Sequence, residues 1–252
     1  MPVWLTPAFF GTALLYASVG FGGGSTYNAL LALAGVDYRL LPAVALTCNI
    51  LVVIGGTWRF YKAGLLPIRR ALPLVLIAAP FAWAGGLTPI KESTFLALLA
   101  ASLMVAGVAL LVQKEATKGD EQDADRKTRP GDLLTGAAIG YLAGLVGIGG
   151  GIFLAPYLHL TRWARAKQIA ATASLFILVN SIAGLAGQLM KLGPTAAGAI
   201  APYWPLFIAV ILGGQMGSLM GIRLLSPAMV RRATGLLVLY VAGQLVWKLV
   251  AA

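Results

Sequence analysis

The sequence is poor in charged residues and in the side chains that bind metals. Of its 252 residues only 11% are charged, whereas 59% are hydrophobic, and the mean hydropathy is +0.86. Soluble domains carry about 25% charged residues, so this composition excludes a soluble globular protein and indicates an integral membrane protein. The single cysteine, Cys48, excludes an intrachain disulfide and has no companion cysteine to ligate a metal. We therefore expect no metal site and no cofactor.

Acidic residues are absent from the interiors of the apolar segments. All eight lie in predicted loops or at element ends: Asp37, Glu92, Glu115, Asp120, Glu121, Asp123, Asp125 and Asp132. A carboxylate within the membrane is the usual proton carrier or cation ligand of a transporter. The sequence therefore argues against a cation pump and favours an anionic or neutral substrate. The net charge of +11 is better explained by basic cytoplasmic loops than by a nucleic-acid partner, and we expect none.

One string of glycines occurs twice. Residues 19–24 read V-G-F-G-G-G and residues 146–151 read V-G-I-G-G-G, 127 positions apart. Each copy interrupts an apolar run and frees backbone groups that lipid cannot satisfy. Transporters place broken helices of this kind at their substrate sites. The alternative is that these glycines only let helices pack closely.

The apolar elements form two halves of similar layout. They are predicted at 7–19, 25–34, 42–56, 71–87 and 94–112, and again at 133–146, 152–160, 166–188, 203–222 and 228–249, with an insertion around 191–202. The second element of each half has about ten residues and is about 15 Å long as a helix, too short to cross a membrane. We expect it to be the returning arm of a re-entrant or discontinuous hairpin whose tip is the glycine run.

The predicted fold class is therefore an all-α integral membrane protein built of two repeats. Each repeat combines a glycine-broken hairpin with about three membrane-spanning helices. The first repeat is expected at 1–112 and the second at 131–252, and the polar stretch 113–130 is expected to be a cytoplasmic linker. Small residues at four-residue spacing predict close helix contacts; they are Gly136/Gly140/Gly144, Gly213/Gly217/Gly221 and Ala78/Ala82/Gly86.

Basic residues predict the orientation of the two repeats. Between the third and fourth elements the first half carries Arg59, Lys62, Arg69 and Arg70, whereas the second half carries only Lys191, and the bias reverses in the flanking loops. Lysine and arginine concentrate in cytoplasmic loops. The repeats are therefore predicted to have inverted topology, with both termini external.

Neutral hydrogen-bond donors are the candidates for holding an anion. A short helix is predicted to begin directly after each glycine run, and a helix N-terminus binds anions through its free N–H groups and its positive dipole end. Polar side chains within the apolar third elements add further donors, although helix packing explains them equally well. Positive-inside topology is likewise an alternative explanation for the position of Arg59. The predicted substrate-binding residues are Gly22, Gly23, Gly24, Ser25, Thr26, Thr47, Asn49, Gly149, Gly150, Gly151, Ser174, Asn180, Gln188 and Arg59.

These motifs, together with A-L-T-C-N at 45–49, A-T-A-S-L-F at 171–176 and N-S-I-A-G at 180–184, resemble the TauE/SafE sulfite exporter family, also called the 4-toluene sulfonate uptake permease family. The resemblance covers nearly the whole chain. It implies a secondary transporter of sulfite, organosulfonates or related sulfur-containing anions in the inner membrane of a bacterium or archaeon. We predict alternating access, in which one repeat rocks against the other. The expected partners are the small anion and the lipid bilayer, and a homo-oligomer is an open alternative.

The sequence leaves two other functions open. An anion channel built on re-entrant hairpins would show fluxes far above the turnover of a carrier. An intramembrane hydrolase would use Ser25 as nucleophile and His159 as base, but the sequence has no G-x-S-x-G element around Ser25. We predict no catalytic residue.

Overall fold

The computed structural model describes residues 1–18, 20–112, 128–220 and 227–250, and every regular element within them is helical. The first half contains α1 (Leu5–Ser18), α2 (Gly24–Leu33), α3 (Leu41–Lys62), α4 (Ile68–Leu87) and α5 (Glu92–Val112). The second half contains α6 (Pro130–Val146), α7 (Gly151–Leu160), α8 (Ala166–Leu192), α9 (Ala196–Ile200), α10 (Trp204–Met220) and α11 (Pro227–Val250). Residues 113–127 of the predicted linker lie outside the described part of the chain.

The ten predicted apolar elements correspond to ten of these helices, and the all-helical class is confirmed. The short α9 and the 3₁₀ turns on either side of it, Gly193–Thr195 and Ala201–Tyr203, occupy the predicted insertion. Four helical stretches are long and apolar enough to cross a membrane: α3, α4, α5 and the continuous stretch Ala166–Leu219. The chain is therefore a multi-pass membrane protein. By contrast, α2 and α7 have only 10 residues each.

Helices α1 and α6 end in the same way. The N–H of Phe21 donates to the carbonyl of Tyr16 (2.9 Å), and the N–H of Ile148 donates to the carbonyl of Ala143 (3.2 Å). A bond that reaches back five residues closes the last turn of a helix and satisfies a carbonyl that the helix leaves free. Both glycine strings thus begin by capping the preceding helix.

Two pairs of corresponding glycines in the two strings share one backbone conformation, whereas in a third pair Gly149 is left-handed (φ 75°) and Gly22 is not. Gly20 and Gly147 have φ angles of 85° and 80°, and Gly23 and Gly150 have φ angles of 86° and 80°. Residues with a side chain rarely adopt this left-handed conformation. The first pair ends α1 and α6, and the second pair directly precedes α2 and α7, so these four positions require glycine for backbone reasons alone.

Small residues bring α4 into close contact with α6. Ala78 packs on Gly140 and Ala82 packs on Gly144, so closely that a Cβ atom built at either glycine would overlap the alanine backbone. Because both contacts keep the same spacing along the two helices, α4 and α6 run parallel. The predicted packing role of these residues is confirmed.

The pair of α1 and α10 repeats this arrangement. Gly213 packs on the backbone of Phe10, and Gly217 packs on the backbone of Leu14, again in parallel register. The third glycine of this predicted row, Gly221, lies outside the described residues. Since α4 and α10 hold corresponding places in the two halves, as do α6 and α1, each pair joins one half to the other.

The two long helices α3 and α8 cross in opposite directions at the centre of the molecule. Leu46 of α3 packs on Gly184 of α8, whereas eleven residues later the Thr57 hydroxyl bonds to the Ser174 hydroxyl (2.8 Å). The later residue of α3 thus meets the earlier residue of α8, which makes the pair antiparallel. The glycine runs lie against this seam.

One carboxylate is buried, which the sequence pattern did not predict. Asp132 lies in the first turn of α6, at an element end as expected, but is only 1% exposed. It accepts hydrogen bonds from the backbone N–H of Arg129 (2.7 Å) and from the Tyr157 hydroxyl (2.8 Å). Because Tyr157 belongs to α7, this carboxylate ties the start of α6 to the helix that follows the second glycine run.

We expect Asp132→Asn to lower the thermal unfolding midpoint of the purified protein in detergent. The amide cannot accept from both donors as well as a carboxylate, and a buried donor left unpaired costs about 1–3 kcal/mol. Asp37→Asn is the matched control, because Asp37 is exposed and accepts only from the Arg39 N–H in the adjoining loop (2.9 Å). Equal midpoints for the two variants would contradict a tie between α6 and α7.

Candidate functional site at the glycine runs

The two glycine runs meet at the side chain of Asn49, in the middle of α3. A Cβ atom built at Gly22 or Gly24 would overlap the Asn49 amide, and one built at Gly149 would lie 2.7 Å from Asn49 Nδ2 and 3.1 Å from Ser181 Oγ. One side chain therefore contacts both runs, although they are far apart in sequence. The structure brings together four of the predicted residues here and adds Ser181, which the prediction missed.

The polar groups around this point have no hydrogen-bond partner within the protein. Asn49 and Ser181 are 0% exposed, and neither the two amide atoms of Asn49 nor the Ser181 hydroxyl is bonded. The same holds for both amide atoms of Asn180 and for the Thr172 hydroxyl, elsewhere on α8. Buried polar groups almost always have a partner, because leaving one unpaired costs free energy. The unpaired groups of Asn49 and Ser181 therefore mark the meeting point of the runs as a place suited to a polar ligand or water.

An apolar side chain lies at the same meeting point. The Cγ2 atom of Ile177, on α8, lies 3.3 Å from the Cβ position of Gly22 and 3.0 Å from that of Gly149. A Cβ atom at Gly151 would overlap the same isoleucine. Asn49 and Ile177 thus contact the two runs from different helices, and Ser181 lies one helical turn after Ile177 on α8.

The central glycine of each run faces away from this point. The Cβ position of Gly23 lies 3.2 Å from a Thr12 methyl of α1, and that of Gly150 lies 2.9 Å from Ile139 of α6 and 2.9 Å from the Phe176 ring. These neighbours form the packing surface behind each run. Gly23 and Gly150 therefore shape the backbone, whereas Gly22, Gly24, Gly149 and Gly151 face the seam of α3 and α8.

The predicted hydroxyls at the start of α2 are buried beside α1. Ser25 is 3% exposed and Thr26 is 1% exposed. The Thr26 hydroxyl shares a hydrogen bond with the Tyr16 hydroxyl (2.7 Å). This contact holds the first short helix against α1 and leaves the N-terminal N–H groups of α2 as its principal donors near the seam.

Two amides satisfy the carbonyls freed by the second glycine run. Gln188 Nε2 donates to the carbonyl of Gly144 (2.8 Å), and Asn28 Nδ2 donates to the carbonyls of Val146 (2.9 Å) and Gly147 (3.0 Å). Gln188 belongs to α8 and Asn28 belongs to α2, so all three hydrogen bonds join different helices to the end of α6. This backbone contact accounts for the burial of Gln188, and a substrate contact at its unpartnered Oε1 stays a prediction.

Thr47 and Ser174 lie toward opposite ends of the seam. Thr47 donates to the Ala43 carbonyl within its own helix (2.8 Å) and borders an apolar cleft of about 490 Å³ that the segment after α8 also lines. Ser174 bonds to Thr57, which borders a second apolar cleft of about 690 Å³ beside the segment after α3. The two clefts thus flank the meeting point of the glycine runs from the two ends of the α3–α8 pair.

Arg59 joins α3 to α10 near the second cleft. Its guanidinium donates to Gln215 Oε1 (2.9 Å) and to the Ser218 hydroxyl. The side chain is half-buried. Because both of its partners are neutral groups of α10, these contacts pair it with no carboxylate, and they hold two helices from different halves together. Anion attraction by Arg59 stays a prediction.

The paired glycine runs and the central amide involve both halves of the chain. A match to a known protein family also extends over both halves. The family described as "Sulfite exporter TauE/SafE" matches residues 5–245. The chain belongs to the TauE/SafE family. This confirms the resemblance drawn from the glycine strings, and it makes the protein a membrane transporter.

A curated relative of this TauE/SafE chain supports the same conclusion. It is named "Probable membrane transporter protein y4hK", comes from Sinorhizobium fredii (strain NBRC 101917 / NGR234), and is 34% identical over 247 residues. The alignment covers 97% of this chain and 98% of the relative. No solved structure matches the chain.

We expect Gln188→Ala to lower the thermal midpoint, because it removes the buried donor to the Gly144 carbonyl; such a loss costs about 1–3 kcal/mol. The matched control is Gln244→Ala, which truncates an exposed amide whose contact is the Tyr240 hydroxyl of its own helix (3.3 Å). Thermal unfolding in the same detergent measures both. A Gln188→Ala midpoint equal to that of the control would show that this carbonyl needs no side-chain partner.

Proposed function

We propose that the protein is a secondary transporter of small sulfur-containing anions, such as sulfite or organosulfonates, and that the anion binds where the two glycine runs meet. The observation that carries the proposal is Asn49, a fully buried amide that contacts both runs and has no partner within the protein. Such an amide is costly to bury unless it bonds to a ligand or a water. Its position is the one that a substrate would occupy in a transporter with broken helices.

The chemistry around Asn49 favours an anion. Its amide N–H₂ and the Ser181 hydroxyl are donors, and α2 and α7 begin beside the runs with free N–H groups and positive dipole ends. Among the nearest neighbours of the described glycines there is no carboxylate. Neutral donors suit the oxygens of a sulfur oxyanion, and no carboxylate beside these glycines would balance the charge of a cation.

We further propose that the two halves are inverted repeats and work by alternating access. The antiparallel crossing of the corresponding helices α3 and α8 supports this, as do the matching left-handed pairs Gly20/Gly147 and Gly23/Gly150 of the two glycine strings. The contact of α4 with α6 has its counterpart in that of α10 with α1. The clefts at the two ends of the seam are then the two mouths through which the central site is reached in turn.

The orientation follows from the distribution of basic residues. Arg59, Lys62 and Arg70 lie at the ends of α3 and α4 that border the larger cleft, whereas Lys191 lies at the far end of α8. With positive residues inside, the larger cleft faces the cytoplasm, the linker is cytoplasmic and both termini are external, in the inner membrane. A membrane potential that is negative inside drives an anion outward, so export requires no proton carrier.

Gly22→Ala tests the site without straining the backbone, because Gly22 does not have a positive φ. The added methyl would displace the Asn49 amide, and we expect anion binding to weaken about tenfold or more, the equivalent of losing one hydrogen bond to a charged ligand. The measurement is the thermal stabilisation of the purified protein by sulfite, methanesulfonate, sulfate, acetate and sodium at constant ionic strength. Gly11→Ala is the control, since a Cβ atom there meets nothing within 4 Å.

A stabilisation by sulfite or methanesulfonate that is unchanged in Gly22→Ala would place the binding site elsewhere. A wild-type protein that responds only to the cation, or to none of these anions, would overturn the anion proposal as a whole.

Substitution of Asn49 separates hydrogen bonding from charge. Asn49→Ala removes the donor, and we expect about a tenfold loss of anion binding. Asn49→Asp keeps the shape but introduces a carboxyl group, whose ionised form repels an anion in a buried site. Burial favours the neutral form of a carboxyl group, so the loss of binding in Asn49→Asp should grow as the pH is raised. Substrate-induced currents of protein reconstituted in lipid vesicles, recorded at several pH values, report both effects. Wild-type currents in both variants would rule out anion binding at this amide.

A further inference from the structure

The candidate site is lined by polar groups and by hydrocarbon. Asn49 of α3 and Ser181 of α8 supply the polar groups, whereas Ile177, one helical turn before Ser181 on α8, reaches both glycine runs with its methyl groups. Ile177 is 2% exposed, so its side chain is enclosed by these neighbours. A ligand between the runs would therefore meet both hydrogen-bond donors and the hydrocarbon of this isoleucine.

The two short helices begin against different side chains. Gly24, at the start of α2, is overlaid by Asn49, and Gly151, at the start of α7, is overlaid by Ile177. The residue of α8 that corresponds to Asn49 by the 127-residue spacing of the strings is Phe176, whose ring packs on Gly150. The second half therefore offers hydrocarbon where the first half offers an amide.

This difference discriminates between ligands. An inorganic anion such as sulfate carries oxygens in every direction, and an oxygen turned toward Ile177 would find no donor there, which costs free energy. An alkylsulfonate carries its oxygens at one end and hydrocarbon at the other. Its head can meet Asn49 and Ser181 while its carbon chain contacts the isoleucine.

We propose that Ile177 determines the size of the organic group that the site accepts, which makes it a specificity-determining residue for short alkylsulfonates. The inference rests on the proposed anion site at the glycine runs. The isoleucine fills the space that a longer chain would need, since it already contacts the Cβ positions of Gly22, Gly149 and Gly151. Shortening it opens that space and keeps the side chains of Asn49 and Ser181.

The experiment compares dissociation constants for sulfite, methanesulfonate, ethanesulfonate and propanesulfonate in wild-type protein and in Ile177→Ala, reconstituted in lipid and studied by calorimetry. We expect the wild type to prefer the shortest sulfonates. In Ile177→Ala the preference should move to longer chains, with a gain of about fourfold for each methylene that finds a contact. Sulfite has no carbon chain to enter the opened space, so its binding should show no such gain.

Ile182→Ala is the matched control. It makes the same change on the same helix, at a side chain that is 52% exposed on the outer surface. Its preference among the four anions should equal that of the wild type. Ile177→Val removes a single methylene and disturbs the core less, so it should give a smaller shift in the same direction if Ile177→Ala proves too unstable to purify.

The outcomes separate this inference from the function on which it rests. Suppose that the wild type binds these anions and that Asn49→Ala weakens their binding. If the Ile177 variants then rank the sulfonates by chain length as the wild type does, the proposed role of Ile177 is wrong and the anion site stands. If the wild type binds none of the four anions, both proposals fail.

Discussion

The structure depends on satisfying the backbone groups that the two glycine runs free inside the membrane. A carbonyl that leaves a helix in lipid has no water to bond to, so other elements of the protein must supply the partner. Asn28 of α2 and Gln188 of α8 do so at the end of α6. These bonds draw α2 and α8 onto the second run, and Asn49 then contacts both runs.

The two halves share most of the backbone around the glycine runs and differ in the side chains that surround it. The helix ends before the runs correspond, as do the left-handed pairs Gly20/Gly147 and Gly23/Gly150, whereas Gly149 is left-handed and Gly22 is not. The side chains at the start of the two short helices also differ, since Asn49 contacts Gly24 and Ile177 contacts Gly151. The chemical character of the proposed site therefore comes from the side chains around the runs and not from the shared backbone.

Much of this fold is predictable from the sequence, because glycine strings and apolar periodicity report local structure. The ten elements and the small-residue contacts of Gly140 and Gly144 follow from patterns along the chain. The distinction between Gly22 and Gly23 does not, since it depends on which way each Cα–Hα bond points after the helix has ended. Ser181 and Ile177 were missed because only the crossing of α3 and α8 turns them toward the runs, and Asp132 because its burial depends on Tyr157 of another helix.

The close contacts limit which parts can move in a transport cycle. Gly144 packs on the Ala82 carbonyl and Gly217 packs on the Leu14 carbonyl, so each of these contacts joins a helix of the first half to one of the second. Separating such pairs would forfeit tight packing, which is what holds helices together where lipid is as apolar as the side chains. Rocking of one whole sequence repeat against the other would break both. Motion that keeps α4 with α6 and α1 with α10 avoids this loss. In the proposed alternating access, the moving units would therefore be assembled from both halves, and they would slide along the seam of α3 and α8.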